Sequence, residues 1–349
     1  MKKQSMADKL AQKSFNSPEI KKSWAVHMQA FGPILKPAFA EDYQARVHLC
    51  AALNHISNKN LPQALLKLNG LQKRLATDAD KAAFLFCMGL FCETAGKREE
   101  MVALYTQCNE FGHKFYLPYL KVGKFHLDCC SYDQAEASYR SAIACFTATG
   151  LSDQEKLILG SAYTNLASSL VMMHRYEEAE AALATSRSLY PDAPGRAAPE
   201  AALHAVRGEK EQVEACLNTL KSHAPAAYEA IKKSTDKILA GTDPLFFTVP
   251  VEEEKIAAFW DWFAANSNDL HRKLDAQEYD AAIQAIAKHL LEAFPFLEEP
   301  PYVALGKNDK GYVIQLKDMY AVGVIEAYAK LLDACTEEVK ERWQFDVVH

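Results

Sequence analysis

The sequence predicts a mostly α protein, a run of paired helices followed by a small α+β domain. Three observations carry that expectation. Apolar residues recur at helical spacing over residues 43–240, interrupted by turns that divide the stretch into successive pairs of helices. Gly89 and Gly123 stand at the same place in two neighbouring pairs, 34 residues apart, so the pairs repeat. After about residue 300 the period shortens: YVAL at 302–305 and YVIQL at 312–316 are short β-type runs on either side of GKNDKG, a hairpin turn.

Length and composition set the outer bounds. A chain of 349 residues is long for one hydrophobic core, so two domains are expected. Apolar residues make up 49% and charged residues 24%, the balance of a soluble folded protein. No window reaches about 18 uninterrupted apolar residues, which argues against a membrane span. Lys2 and Lys3 are followed by no apolar run, so a secretory signal is not expected. Nine cysteines without any C-x-x-C spacing fit reduced thiols in a cytoplasmic protein.

Charge is unevenly spread. Residues 250–349 hold 19 of the 45 acidic and 10 of the 39 basic side chains, net −9, which leaves residues 1–249 at +3. The contrast places a boundary near residue 245. It supplies no clustered basic face of the kind nucleic acid requires. The expected organisation is an N-terminal arm and capping helix over 1–42, helical pairs over 43–243 and a small α+β domain over 244–349.

Taken in order, residues 1–16 are polar and lysine-rich and are expected to be loosely held. Ser17-Pro18-Glu19 starts a helix: a hydroxyl N-cap, a proline in the first turn and a carboxylate near the positive helix end. Ile20, Trp24, His27, Met28 and Phe31 give that helix one apolar face, and Gly32-Pro33 should stop it. It reads as a cap over the first pair. That pair, residues 43–76, is degenerate, with His48, Ala52, His55, Leu61 and Leu68 at its signature positions when aligned on Ala64. The second pair carries Leu85, Met88, Gly89 and Cys92, then Met101, Tyr105 and Cys108. The third carries Tyr119, Val122, Gly123 and His126, then Tyr132, Ala135, Tyr139 and Ala142. A mid-helix glycine costs about 1 kcal/mol against alanine, so its return at one position predicts helices too close for a side chain.

Between the third and fourth pairs the step widens to 44 residues, from Gly123 to Ala167. Gly150 reads as a helix C-terminus, and Ser152-Asp153-Gln154-Glu155 as a capping box opening a long helix. Pro191, Pro194 and Gly195 mark a loop before a compact hairpin that ends at Pro225, and a further helix over 226–240 closes the array at Gly241. Pro244 and Pro250 break the linker at 241–254. Ile256, Phe259, Trp260, Phe263 and Leu270 then predict a helix with a large aromatic face, followed by a helix over 279–294, the hairpin, a helix over 319–334 and a strand at 343–348.

Residues 163–191, YTNLASSLVMMHRYEEAEAALATSRSLYP, have the order of one helix–turn–helix unit. Tyr163, Leu166 and Ala167 lie on one helix, Tyr176 follows the turn, Ala179, Leu183 and Ser186 lie on the next, and Pro191 closes the unit. This resembles a tetratricopeptide repeat, whose units run about 34 residues, and two pairs upstream match the same pattern. The resemblance implies a TPR-like α-solenoid of helical hairpins whose concave groove binds a protein or peptide. Carried over from the family's groove-facing positions are Phe86, Leu90 and Glu93 in the second pair, Leu120, Lys121, Lys124 and Asp128 in the third, and Thr164, Asn165, Ser168 and Met172 in the fourth. That mixture suits an extended peptide or a partner helix; the competing reading is a groove filled from within. Lys121 and Lys124 share a helical face and suit a carboxylate. They do not complete the carboxylate clamp of chaperone-binding repeats, because Leu49, Leu53, Cys87 and Leu90 stand where it needs lysine and asparagine. Long helices of the kind opened at Ser152 also occur in extended-helix repeats of bacterial regulators and assembly factors. The FW-x-WF-x-x-N opening and final W-x-F strand of the last domain resemble an uncharacterised bacterial domain, over about 100 residues, and imply no activity.

No pattern points to catalysis. His55, His126 and His204 recur at one repeat position without an H-E-x-x-H spacing, which reads as packing rather than metal binding. Trp260 and Trp262 are two apart and do not share a helix face, so core anchoring and an inter-domain contact are expected of them, not ligand stacking. Phosphate-loop, dinucleotide and nucleophile-elbow motifs are absent from the sequence. The carboxylates at 252–254 read as a solvated helix start. The expectation is a non-enzymatic cytoplasmic scaffold of bacterial type, with no cofactor, metal or nucleic-acid partner. Two other classes stand beside it. One is an enzyme or small-ligand C-terminal domain with the repeats as its targeting arm, which calls for a deep polar pocket in residues 250–349. The other is a peptide-sensing regulator.

Overall fold

The structure is a computed structural model that describes residues 6–111, 115–146, 150–308 and 311–349. The chain divides into two compact units, residues 1–129 with 133–166, and residues 130–132 with 167–349. The expected class is what is found: mostly α, helices in consecutive packed pairs, then a small sheet.

The first unit holds α1 (Met6–Phe15), α2 (Pro18–Leu35), α3 (Tyr43–Ser57), α4 (Leu61–Gln72), α5 (Asp78–Thr94), α6 (Arg98–Glu110), α7 (Tyr116–Asp128), α8 (Tyr132–Ala144) and most of α9 (Asp153–Met172). The repeated glycines explain the hairpins. A Cβ at Gly89 would lie 2.4 Å from Tyr105 Cε1, and one at Gly123 would lie 2.9 Å from Tyr139 Cε1. Both tyrosines are fully buried. Glycine on the first helix of each pair therefore makes room for the tyrosine of the second, and the backbones close on each other.

Helix starts follow the chemistry of their side chains. Ser17 caps α2, and Ser152 and Glu155 exchange the two hydrogen bonds of a capping box at α9. A second capping box, between Thr77 and Asp80, opens α5. The buried Asp80 carboxylate also accepts from the Phe39 backbone N–H at 2.5 Å, which fastens the segment between α2 and α3.

Two expectations for the N-terminus change. Residues 6–15 form a helix rather than a loose arm, because Phe15 is buried against Trp24 and Tyr43, at 5.6 and 6.0 Å, while Lys9 and Lys13 stay in solvent. Gly32-Pro33 does not end α2 but kinks it: Phe31 leaves helical geometry (φ −130°, ψ 19°), and the helix resumes as far as Leu35.

The second unit continues with α10 (Tyr176–Leu189), a 3-10 turn (Pro194–Arg196), α11 (Ala197–Val206), α12 (Lys210–His223) and α13 (Pro225–Leu239). Then come α14 (Glu253–Asp275), α15 (Tyr279–Ala293), β1 (Val303–Asn308), β2 (Gly311–Lys317), α16 (Val322–Asp333), α17 (Glu337–Lys340) and β3 (Trp343–Val348). The sheet runs β1-β2-β3. β1 and β2 pair antiparallel around Asn308↔Gly311, and β3 lies parallel to β2 with Ile314 opposite Phe345. A parallel neighbour needs a crossover, which α16 and α17 supply.

Phe259, Trp260, Phe263, Phe294, Tyr328 and Trp343 dominate this unit's core. Trp260 donates to the Leu331 carbonyl at 2.8 Å, and Trp343 to Ser267 Oγ at 2.7 Å, so both buried indoles are satisfied. Trp262 packs half-buried against the edge of the same core and stacks on His289 of α15 at 3.9 Å. The proline-broken segment before α14 is not a free linker. Pro244 and Leu245 offer their carbonyls to the first N–H groups of α16, at Gly323 (2.9 Å) and Val322 (3.3 Å). His174, in the turn before α10, bonds the Tyr320 carbonyl at 2.6 Å and the Tyr176 hydroxyl at 2.8 Å. The sheet layer and helices α10–α13 thus belong to one compact unit. No described helix is long and apolar enough to cross a membrane.

Candidate protein-binding face

The first helix of each pair in the first unit, α3, α5 and α7, presents residues three or four apart along one side. One repeat position holds Leu49, Phe86 and Leu120, and the position four residues on holds Leu53, Leu90 and Lys124. Burial falls along this series. Leu49 and Leu53 are enclosed; Phe86 is enclosed and Leu90 half-buried; Leu120 is half-buried and Lys124 exposed. Part of the cause is α2, which packs on α3 and α5. Its Phe31 ring meets Phe86 at 5.1 Å, and Phe115 closes the other side at 5.2 Å. Phe86 therefore belongs to the core and offers no surface to a partner. Over α3 and α5 the face is filled from within.

Beyond α2 the face is open and electrically balanced. Lys121 pairs with Glu93 on α5 at 2.5 Å, and Glu93 also accepts from the Tyr105 hydroxyl at 3.4 Å. Lys124 and Arg98 both pair with Asp128, the arginine at 2.6 Å. Partial burial pulls the Asp128 carboxyl upward, but its bonds to Lys124 and Arg98 win and hold it below the usual carboxylate range. The Arg98 guanidinium also lies 5.5 Å above the Phe125 ring. Lys121 and Lys124 are thus not free cations awaiting a carboxylate. Each already has one, and Leu117, Leu120 and Phe125 lie half-buried beside them.

Arg98 and Phe125 escaped the sequence reading, although a signal for them existed. Glu93 and Lys121 are 28 residues apart and Arg98 and Asp128 30 apart, close to one repeat, so opposite charges offset by about one unit mark contacts between neighbouring pairs. On α9, Thr164 is buried with its hydroxyl donated to the Gly160 carbonyl, and Asn165 is half-buried. Both belong to the first unit. Ser168 and Met172, also half-buried, belong to the second.

Other candidate sites are poorer. A shallow depression of about 380 Å³ lies between α6, α7 and α8 against Tyr119, Asn109 and Ser138. In the second unit a cleft of about 310 Å³ lies beside Asp275, Tyr279, Lys307 and Tyr312. Three of its polar groups are engaged with each other, since the Tyr312 hydroxyl donates to Asp275 and Lys307 sits 4.7 Å over the Tyr312 ring. His204 is taken up by Glu209, at 2.5 Å, and His126 meets Phe125 edge-on. Among the described residues no three His, Cys, Asp or Glu side chains gather as a metal site. No family model, no curated protein and no solved structure matches the chain.

Proposed function

We propose that this chain is a non-enzymatic, cytoplasmic adaptor of tetratricopeptide type, and that a protein or peptide partner docks on α7 and the adjoining end of α5. One observation carries the reading: Phe86 and Leu120 hold the same repeat position, yet Phe86 is enclosed and Leu120 is only half-buried among apolar neighbours. A surface of leucine and phenylalanine framed by internally paired charges suits a partner that covers apolar area. An incoming carboxylate must displace Glu93 or Asp128, so these charges set orientation more than affinity.

The test is quantitative capture from source lysate on the immobilised full chain. Leu120→Asp should reduce capture at least tenfold, and Lys121→Glu with Lys124→Glu several-fold, with helicity unchanged. Undiminished capture by the Leu120→Asp chain would remove α7 as the docking site.

A further inference from the structure

The geometry points to the part of α2 before its kink as a removable ligand that the protein supplies to its own face. The occupant that displaces it is an amphipathic partner helix with aromatic and aliphatic residues at the same spacing. This rests on the binding role proposed above and names the partner's chemistry.

The two sides of the kink are held very differently. After it, Ile34, Leu35, Ala38 and Phe39 are buried, and Phe39 is tied to Asp80. Before it, over residues 18–30, His27 alone is buried; Trp24 and Met28 are half-buried, and Val26 is 61% exposed. Between them stands Pro33, which has no N–H to continue the helix, next to a glycine and to Phe31 in non-helical geometry. That is a hinge with an anchor on one side and a lightly held helix on the other.

The light segment is nonetheless specifically seated. Trp24, Met28 and Phe31 follow an i, i+4, i+7 spacing and rest on the core of the first unit. Ser23 Oγ donates to Asn54 Oδ1 at 2.7 Å, and His27 Nε2 meets the same oxygen at 2.9 Å. One amide of α3 thereby reads two polar groups, four apart, next to the apolar stripe. A foreign helix with that combination would find every contact already prepared.

The structure also supplies the means of testing this. Ser23 Oγ lies 3.4 Å from Cys50 Sγ, so Ser23→Cys places a thiol within bridging reach of Cys50 and can staple the arm to α3. The probe is a fluorescein-labelled peptide with the sequence of residues 18–31, added to full-length protein. Binding is expected to wild type and to reduced S23C, to fall at least tenfold once S23C is oxidised with glutathione disulfide, and to return on reduction. Equal binding to stapled and reduced protein, or none to either, would overturn the inference. Hydrogen exchange decides it independently: amides of residues 18–30 in the wild-type chain should exchange at least tenfold faster than those of α3, and equal protection counts against a removable arm. Peptide exchange is read over α3 and α5 and partner capture over α7, so the failure of one is separable from the failure of the other.

Discussion

Phe86 and Leu120 occupy equivalent places in successive hairpins, 34 residues apart, above the same glycine–tyrosine seam. Phe86 is wholly enclosed, whereas Leu120 is half-buried. Two neighbours close over Phe86, Phe31 of α2 and Phe115, whereas the step that follows the pair holding Leu120 widens to 44 residues. One of the two covers comes from a segment outside the repeat, the kinked α2, which packs on α3 and α5. A repeat position therefore fixes the direction of a side chain, and its surroundings decide whether that side chain is core or surface.

The largest effect that tests this contrast is on stability. Phe86→Ala should cost about 3–5 kcal/mol, as for an enclosed aromatic, while Leu120→Ala should stay near about 0.5 kcal/mol. Urea unfolding of the first unit measures both, and equal losses would erase the distinction between covered and open face. Next comes the seam beneath. Gly89→Ala forces a methyl against Tyr105 and should cost about 1–3 kcal/mol, with Gly123→Ala costing less because its clash is milder. The reverse order would show that the two hairpins are not built alike.

Smaller effects sharpen the electrostatic side of the comparison. The Glu93–Lys121 pair is about one-third exposed on both sides, so a double-mutant cycle should return no more than about 1 kcal/mol. Lys121→Glu should thus disturb binding while barely touching stability.

The smallest effect concerns pH. Burial, and then the Lys67 charge, hold the His48 imidazole below its ordinary range. A lowered base favours its neutral form in the folded state, so its contribution is intact above the ordinary histidine value. It declines as pH falls below that value toward the lowered one. Stability of the first unit should therefore drop modestly between pH 7 and 5, and His48→Asn should flatten the slope. Asp128 acts lower: its pairs stabilise above the usual carboxylate range and are lost as pH falls through the depressed value.

Much of the fold was legible because its causes are local. The recurrence of Gly89 and Gly123, the Ser152–Glu155 box and the alternation around residues 302–316 each depend on neighbours within a few residues or one repeat. The candidate face was legible only in part. An apolar stripe at Trp24, Met28 and Phe31 says that α2 must cover something, but not that it covers Phe86, which lies more than fifty residues away. Likewise only the approach of α5 to α7 reveals the Glu93 carboxylate that Lys121 holds, whereas the partner of Lys124, Asp128, lies four residues on along the same helix. The docking of Pro244 and Leu245 on α16 and the parallel entry of β3 depend on contacts of the same long range.

The open face is tested most directly by site-specific photocrosslinking in source cells. A benzophenone amino acid at position 120 should trap a discrete protein adduct, whereas one at Leu66, exposed on α4, should trap none. An adduct at 66 with none at 120 would contradict docking on α7 and place the partner on the other side of the helical pairs.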